Sequence, residues 1–156
     1  MTDPFSLRRL GVVDLDHAAA LHAAAFTPLG EPAWTRHDLA SLLASPGVAG
    51  ILLQAGDRDV GFALCRVTVD EAELLTIAVQ SGQRRQGAGR RLLQSVIDHA
   101  RHAGAATLFL EVGVDNPAAK SLYDLQGFAT VGRRVAYYRR GDGPPADGLV
   151  MRLTLS

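Results

Sequence analysis

Residues 72–93 read AELLTIAVQSGQRRQGAGRRLL. The segment from Ala72 to Val79 is apolar and rich in β-branched residues, which predicts a strand. From Gly87 to Ala103 the pattern changes. Leu92, Leu93, Val96, Ile97 and Ala100 share one face of a helix, and Gly104 ends it. Between strand and helix stand Gly87 and Gly89, flanked by Arg84, Arg85 and Arg90. Glycine lets main-chain N–H groups approach a ligand, a helix N-terminus favours negative charge, and arginine adds forked donors. The junction therefore predicts an anion site. After the helix comes TLFLEV, Thr107 to Val112, a short strand of the kind buried in a sheet centre. A strand–helix–strand step crosses over right-handedly and puts a parallel pair in the sheet.

Outward from this unit the elements alternate regularly. Ser6 to Val13 predicts a first strand, and Asp14 or Asp16 caps a helix running to about Phe26. TPLGEPAW breaks it. Thr35 with Asp38 resembles a capping box ahead of Leu39, Leu42 and Leu43, and Pro46-Gly47 stops that helix. Val48 to Gln54 and Val60 to Val69 are strands joined by a turn at Gly56-Asp57-Arg58-Asp59, and Asp70-Glu71 turns into Ala72. Downstream, Asn116-Pro117 opens a helix that Gly127 closes. Ala129 to Tyr138 is a strand, residues 139–148 (RRGDGPPADG) a loop, and Leu149 to Leu155 the last strand. The expectation is one domain over residues 1–156, an α/β (α+β) fold with a mixed sheet and helices on its faces.

Composition narrows the function. The 156 residues are 47% hydrophobic and 21% charged, enough for a core without disulfide or metal staples. A net charge of zero argues against a broad nucleic-acid footprint, so any anion site is local and no direct nucleic-acid binding is expected. The basic-aromatic run RRVAYYRR, residues 133–140, is explained by strand patterning. Cys65 is the single cysteine and lies in GFALCRV, which predicts a buried thiol. MTDPFSLRRL has no apolar segment after a basic start, and no apolar run approaches a membrane span, so a cytoplasmic protein without membrane contact is expected. The five histidines make no metal site: His99 and His102 share a helix face but lack a nearby cysteine or carboxylate pair.

Three phosphate motifs compete for the glycine-rich junction. A P-loop requires Lys-Ser or Lys-Thr, which is missing. A dinucleotide fingerprint requires glycine where Leu92 stands, and an acid about 20 residues on. R-x-x-G-x-G directly after a strand is matched by Arg84, Gly87 and Gly89. A glycine-containing helix start with solvated arginines would give the same letters.

The neighbouring runs bear on this choice. With residues 72–93 go LFLEVGVDNPAAKSLYDLQGF (108–128), the pair Tyr137-Tyr138 and LVM (149–151). Together they resemble the GNAT family of acetyltransferases. The similarity is greatest to RimI-type bacterial enzymes, which acetylate the N-terminal alanine of a ribosomal protein. The specific part covers residues 71–155; the N-terminal third fits loosely. The resemblance implies a mostly antiparallel sheet of about six to seven strands, about four helices and a splayed central parallel pair. It implies acetyl-CoA as cosubstrate, with the pyrophosphate on the backbone of Arg85, Gln86, Gly87, Ala88, Gly89 and Arg90. It also implies that the free main chain of Ile77, Ala78 and Val79 pairs with the pantetheine amides, a form of strand addition. Asn116 would touch the cofactor as well as cap its helix.

Acetyl transfer to an amine needs a neutral nucleophile, a stabilised oxyanion and a protonated leaving thiolate. Glu111 is the candidate base: it interrupts the apolar run LFLEV, where desolvation would raise its pKa. The alternative is a structural carboxylate. Tyr123 follows Asn116 by two helical turns, and the resemblance makes it the acid that protonates the thiolate; a core aromatic is the alternative. The N–H of Val79 would polarise the thioester carbonyl. Trp34, Tyr137 and Tyr138 match acceptor-groove positions, and Glu73 would attract a cationic acceptor. Their alternatives are a helix-start hydrophobe, an edge strand and a solvated charge. RimI-type sequences often read E-V-R-x-S-N, whereas Gly113 and Asp115 stand here, which leaves peptide selectivity open. Direct attack in a ternary complex on a protein N-terminus is the first expectation, with a ribosomal protein as partner and a monomer or dimer as assembly. A small-molecule amine is the second. A non-catalytic acyl-CoA-binding module is the third, and the presence of both Glu111 and Tyr123 argues against it.

Overall fold

The computed structural model describes residues 3–155, all side chains included except those of Arg84 and Arg85. The charge expected of these two side chains therefore lies outside the described residues. In chain order the elements are β1 (Phe5–Arg9), α1 (Leu15–Phe26), α2 (Arg36–Leu43), β2 (Val48–Ala55), β3 (Arg58–Thr68), β4 (Glu71–Val79), α3 (Ala88–His102), β5 (Thr107–Gly113), α4 (Pro117–Leu125), β6 (Ala129–Arg140) and β7 (Gly143–Thr154). The strands form one sheet in the order β1-β2-β3-β4-β5-β7-β6. Only β4 and β5 run parallel; every other neighbouring pair is antiparallel.

Period-two alternation in β3 divides the core. Ala63 and Cys65 point to one face, where α3 packs with Leu92, Leu93, Val96, Ile97 and Ala100 buried. Phe62 and Leu64 point to the other, against Leu15 and Ala18 of α1 and Leu39 of α2. Each large apolar side chain so buried contributes roughly 1.5–3 kcal/mol. The capping box of α2 forms as expected: Thr35 Oγ1 accepts from Asp38 N–H at 3.1 Å, and Asp38 accepts from Thr35 N–H at 2.9 Å. Cys65 is fully buried, and burial pushes its thiol up to about 11, so it is no nucleophile at neutral pH.

Some boundaries differ from the sequence expectation. β1 stops at Arg9 rather than Val13, because the Asp14 carboxylate accepts from Gly11 N–H at 2.8 Å and turns the chain. Val12 and Val13, apolar but exposed, lie in that turn. The turn between β2 and β3 is Gly56-Asp57 alone, and Arg58 and Asp59 belong to β3. The largest difference is at 139–148, expected as a loop. These residues extend β6 and β7 into a hairpin closed at Gly141-Asp142, with Arg140 opposite Gly143 and Tyr138 opposite Ala146. Pro144 and Pro145 are tolerated because β5 pairs with β7 only from Gly148 onward, so no second ladder needs their missing N–H.

Candidate active site

The site begins where the sheet centre opens. β4 pairs with β5 at Glu71, Ala72 and Glu73 only, opposite Thr107, Leu108 and Phe109. Just beyond, Leu74 faces Cys65 and Thr76 faces Leu64 on β3, so Leu75 is an extra residue, a bulge that bends β4 away. Gln80 N–H donates to Val60 O at 2.8 Å, and antiparallel alternation therefore turns the main chain of Val79 and Ile77 toward the gap. Thr76 Oγ1 is buried at this gap without a hydrogen-bond partner. Ala78 packs its side chain into the core and turns its backbone toward Phe62 of β3, so of the three expected residues Ile77 and Val79 present their main chain to the gap.

At the end of β4 a 3-10 turn, Ser81–Gln86, leads into Gly87 at φ 82°, and α3 starts at once. That left-handed conformation favours glycine, and a Cβ there would meet nothing within 4 Å, so the space above is open. Gly87 has no side chain to cap the helix, and the first N–H to find an intrahelical acceptor is that of Arg91, on Gly87 O at 2.9 Å. Among the described residues the N–H groups of Ala88, Gly89 and Arg90 have no acceptor, as in the first turn of any helix without a side-chain cap. By contrast α4 is capped, its Asn116 Oδ1 accepting from Ala119 N–H at 3.3 Å.

Glu111 and Tyr123 line one cleft of about 740 Å³ with Asn116 and Ile77. Trp34, Glu73, Tyr137 and Tyr138 line it too. Glu111 is not sealed in an apolar strand as expected. Alternation buries Leu110 and Val112 and leaves the carboxylate facing the cleft, 26% exposed, with Oε1 3.0 Å from Arg134 Nε. Tyr123 is buried, packed edge-on to Phe128 at 5.8 Å, and burial pushes its phenol well above the ordinary tyrosine value. Tyr137 and Tyr138 are consecutive, yet both reach the cleft. Ala136 at φ 52° forms a bulge between them and Arg134, held by Asp147, which accepts from Ala136 N–H at 2.8 Å and pairs with Arg133 at 2.6 Å.

Two features escaped sequence reasoning. His22 of α1 is buried in a stack, 4.4 Å from Phe26 and 4.8 Å from Trp34 between ring centroids, and its Nδ1 accepts from Trp34 N–H at 3.1 Å. Its spacing of four from Phe26 was the only available signal. The second is Arg140, whose guanidinium bridges Asp115 and Glu31 beside Gly113. The space that a side chain at 113 would need is filled by this bridge, since a Cβ would lie 2.6 Å from both Arg140 Nη2 and Asp115 Oδ1.

Burial lowers His22 from 6.5 to about 4, with Asp38 pulling weakly the other way. A histidine depressed in the folded state is protonated first in the unfolded chain. Its contribution to stability is therefore complete above pH 6.5 and lost as pH falls toward 4. Trp34 is the only tryptophan, so its fluorescence reports this stack directly. The emission is expected to hold steady down to about pH 5 and to change as the imidazole gains its proton near pH 4, with His22→Phe abolishing that step. A wild-type transition near pH 6.5 would contradict the buried neutral ring.

Residues 15–128 match the acetyltransferase (GNAT) family, and the chain belongs to it. It is an acetyl-CoA-dependent N-acetyltransferase. One relative, the ribosomal protein bS18-alanine N-acetyltransferase of Escherichia coli, is 44% identical over 104 residues, which cover 67% of this chain and 70% of the relative. The N-alpha-acetyltransferase RimI of Mycobacterium tuberculosis is 36% identical over 155 residues, covering 97% of this chain and 93% of its own. The crystal structure of the Escherichia coli ribosomal-protein-S18-alanine N-acetyltransferase superposes with a TM-score of 0.88 at 33% identity, over 97% of this chain and 94% of that one. Among the described residues no helix is long and apolar enough to cross a membrane.

Proposed function

We propose that the protein acetylates the α-amine of a protein N-terminus, an alanine of a ribosomal protein being the candidate target, by direct attack with both substrates bound. The observation that carries the peptide reading is the course of the cleft. Past Glu73, Glu111 and Arg134, which line both spaces, a second recess of about 320 Å³ continues between Arg66, Glu71 and Phe109. A small amine needs only the first space; a peptide chain leaving the reaction point can run on into the second. The name of the Escherichia coli relative, a ribosomal protein alanine N-acetyltransferase, supports this acceptor, and that of the Mycobacterium tuberculosis relative supports an α-amine.

The residues present fit acetyl-CoA. The main chain of Ile77 and Val79 and the orphaned Thr76 Oγ1 offer polar partners along the gap, and the uncapped start of α3 at Ala88, Gly89 and Arg90 suits a pyrophosphate. Gly87, with Gln86 before it, gives the close approach, and Asn116 stands across the cleft. When bound, the cosubstrate supplies a thioester acyl group. Glu111 takes the proton from the incoming ammonium, directly or through water in the open cleft. Val79 N–H stands at the splay to polarise a carbonyl. Tyr123 keeps its phenolic proton because burial opposes ionisation, and is placed to release it to the departing sulfur. Trp34, Tyr137 and Tyr138 wall the acceptor end, and the Glu73 carboxylate draws a cationic terminus toward it.

The test is steady-state thiol release from acetyl-CoA with Ala-, Ser- and Met-initiated peptides, N-blocked peptides bearing an internal lysine, and small amines. Selective turnover of the Ala-initiated peptide is the expected result. An α-amine with pKa about 7.7–8.0 needs less help from a base than lysine at about 10.4. Turnover confined to small amines would replace this reading with the small-molecule one.

A further inference from the structure

We propose that Arg140 is a positioning residue that latches the 27–35 loop and the β6–β7 hairpin together over the acceptor end of the cleft. Gly113 is glycine because the latch occupies the space of a side chain. The proposal rests on the reading that this end of the cleft receives the acceptor.

The guanidinium is a hub between separate chain segments. Its Nε and Nη2 donate to Asp115 Oδ2 and Oδ1 at 2.7 and 2.8 Å, a fork onto the β5–α4 loop. Its Nη1 lies 2.9 Å from Glu31 Oε1, on the loop after α1, an ion pair without hydrogen-bond alignment. Its Cζ lies 4.9 Å from the centroid of the Tyr138 ring, one of the residues that line the cleft. The Arg140 side chain is only 10% exposed, while Glu31 at 20% and Asp115 at 38% leave the carboxylate side of the bridge partly open to water. The loop also comes close to β6 in its backbone: Gly30, at φ 77°, would bring a Cβ to 3.1 Å from Arg140 C. Yet no backbone hydrogen bond joins the 27–35 loop to β6 among the described residues. Among the described residues the side-chain polar contact between loop and β6 is the Arg140–Glu31 pair.

The ion pairs act on geometry. A largely buried guanidinium that loses its carboxylates is left unpaired, so the pairs hold a register rather than deepening a well. Here the register is the distance between Trp34, carried by the loop, and Tyr138, carried by the hairpin. Lysine cannot substitute, because a point charge does not fork onto Asp115 while reaching Glu31. Gly113 belongs to the same device from the opposite side. A methyl group there, 2.6 Å from Arg140 Nη2 and Asp115 Oδ1, would part the fork without touching either partner's charge.

The experiment compares Arg140→Ala, Arg140→Lys, Gly113→Ala and the double variant Gly113→Ala/Arg140→Ala in the full chain. Each is assayed with acetyl-CoA and the Ala-initiated peptide, alongside Trp34 emission without ligand. Each single variant is expected to raise the acceptor KM by about tenfold and leave the acetyl-CoA KM unchanged, and the double variant to be no worse than either single one. Trp34 emission is expected to shift to the red in all four. An acceptor KM that stays put while wild type turns over the peptide would overturn the latch. So would a matching rise in acetyl-CoA KM, or additive effects of the two substitutions. If wild type does not turn over the peptide, the acceptor reading fails by itself and Trp34 emission decides. A shared shift in Gly113→Ala and Arg140→Ala upholds the latch, and no shift rejects it.

Discussion

Glu111→Gln is expected to lower kcat by about 10²- to 10⁴-fold with acetyl-CoA binding unchanged. The substitution is nearly isosteric, and its amide oxygen still accepts from Arg134, the partner of Glu111 Oε1 at 3.0 Å. Packing and the polar contact are preserved, so the loss isolates proton transfer. The pH profile provides the second check. Without the carboxylate the amine must arrive already neutral, so the residual rate keeps rising with pH until the acceptor's own pKa, about 8 for a peptide N-terminus, is passed. Kinetics across pH with one Ala-initiated peptide measure both. A loss of less than about threefold would make Glu111 a structural partner of Arg134 and move the base elsewhere.

Tyr123→Phe carries the second large effect, a fall in kcat of about 10²-fold or more. The ring packs against Phe128 inside the main core cluster, and phenylalanine keeps that packing, so Tm should change little. The discriminating readout is the leaving group. A donor whose thiol is more acidic departs without help, so the gap between wild type and Tyr123→Phe is expected to narrow with such a thioester. An equal gap with both donors would place Tyr123 in acceptor orientation instead of sulfur protonation.

The two parts of the sequence reading had different sources of strength. α3 was legible because five apolar positions repeat at helical spacing beside a glycine stop, a signal local to the chain. β3, β4 and β5 were legible from short apolar runs between turn residues, and their parallel step followed from the intervening helix. What stayed hidden depends on contacts distant in sequence. Arg140, Asp115 and Glu31 meet only once the hairpin folds back beside the first loop, and nothing near Arg140 in sequence marks it as buried. The stretch 139–148 reads as a loop because glycine and proline usually interrupt strands, and only the short reach of β5 makes room for them. Glu111 was expected in a dry environment because its neighbours are apolar. Strand alternation puts those neighbours on the other face, so the same letters place the carboxylate in the open cleft.

At its centre the sheet's ladder runs through Glu71–Thr107, Ala72–Leu108 and Glu73–Phe109 alone, and the rest of that junction is held by the side-chain core shared by both halves. One block is β1 to β4, the other β5 to β7, and the parallel seam between them is the shortest ladder in the sheet. A cosubstrate lying along the opened edge of β4, as proposed above, would supply the rungs that β5 does not and so tie the blocks together. On the proposed reading its binding energy then appears as rigidity in the body of the enzyme as well as affinity at the site.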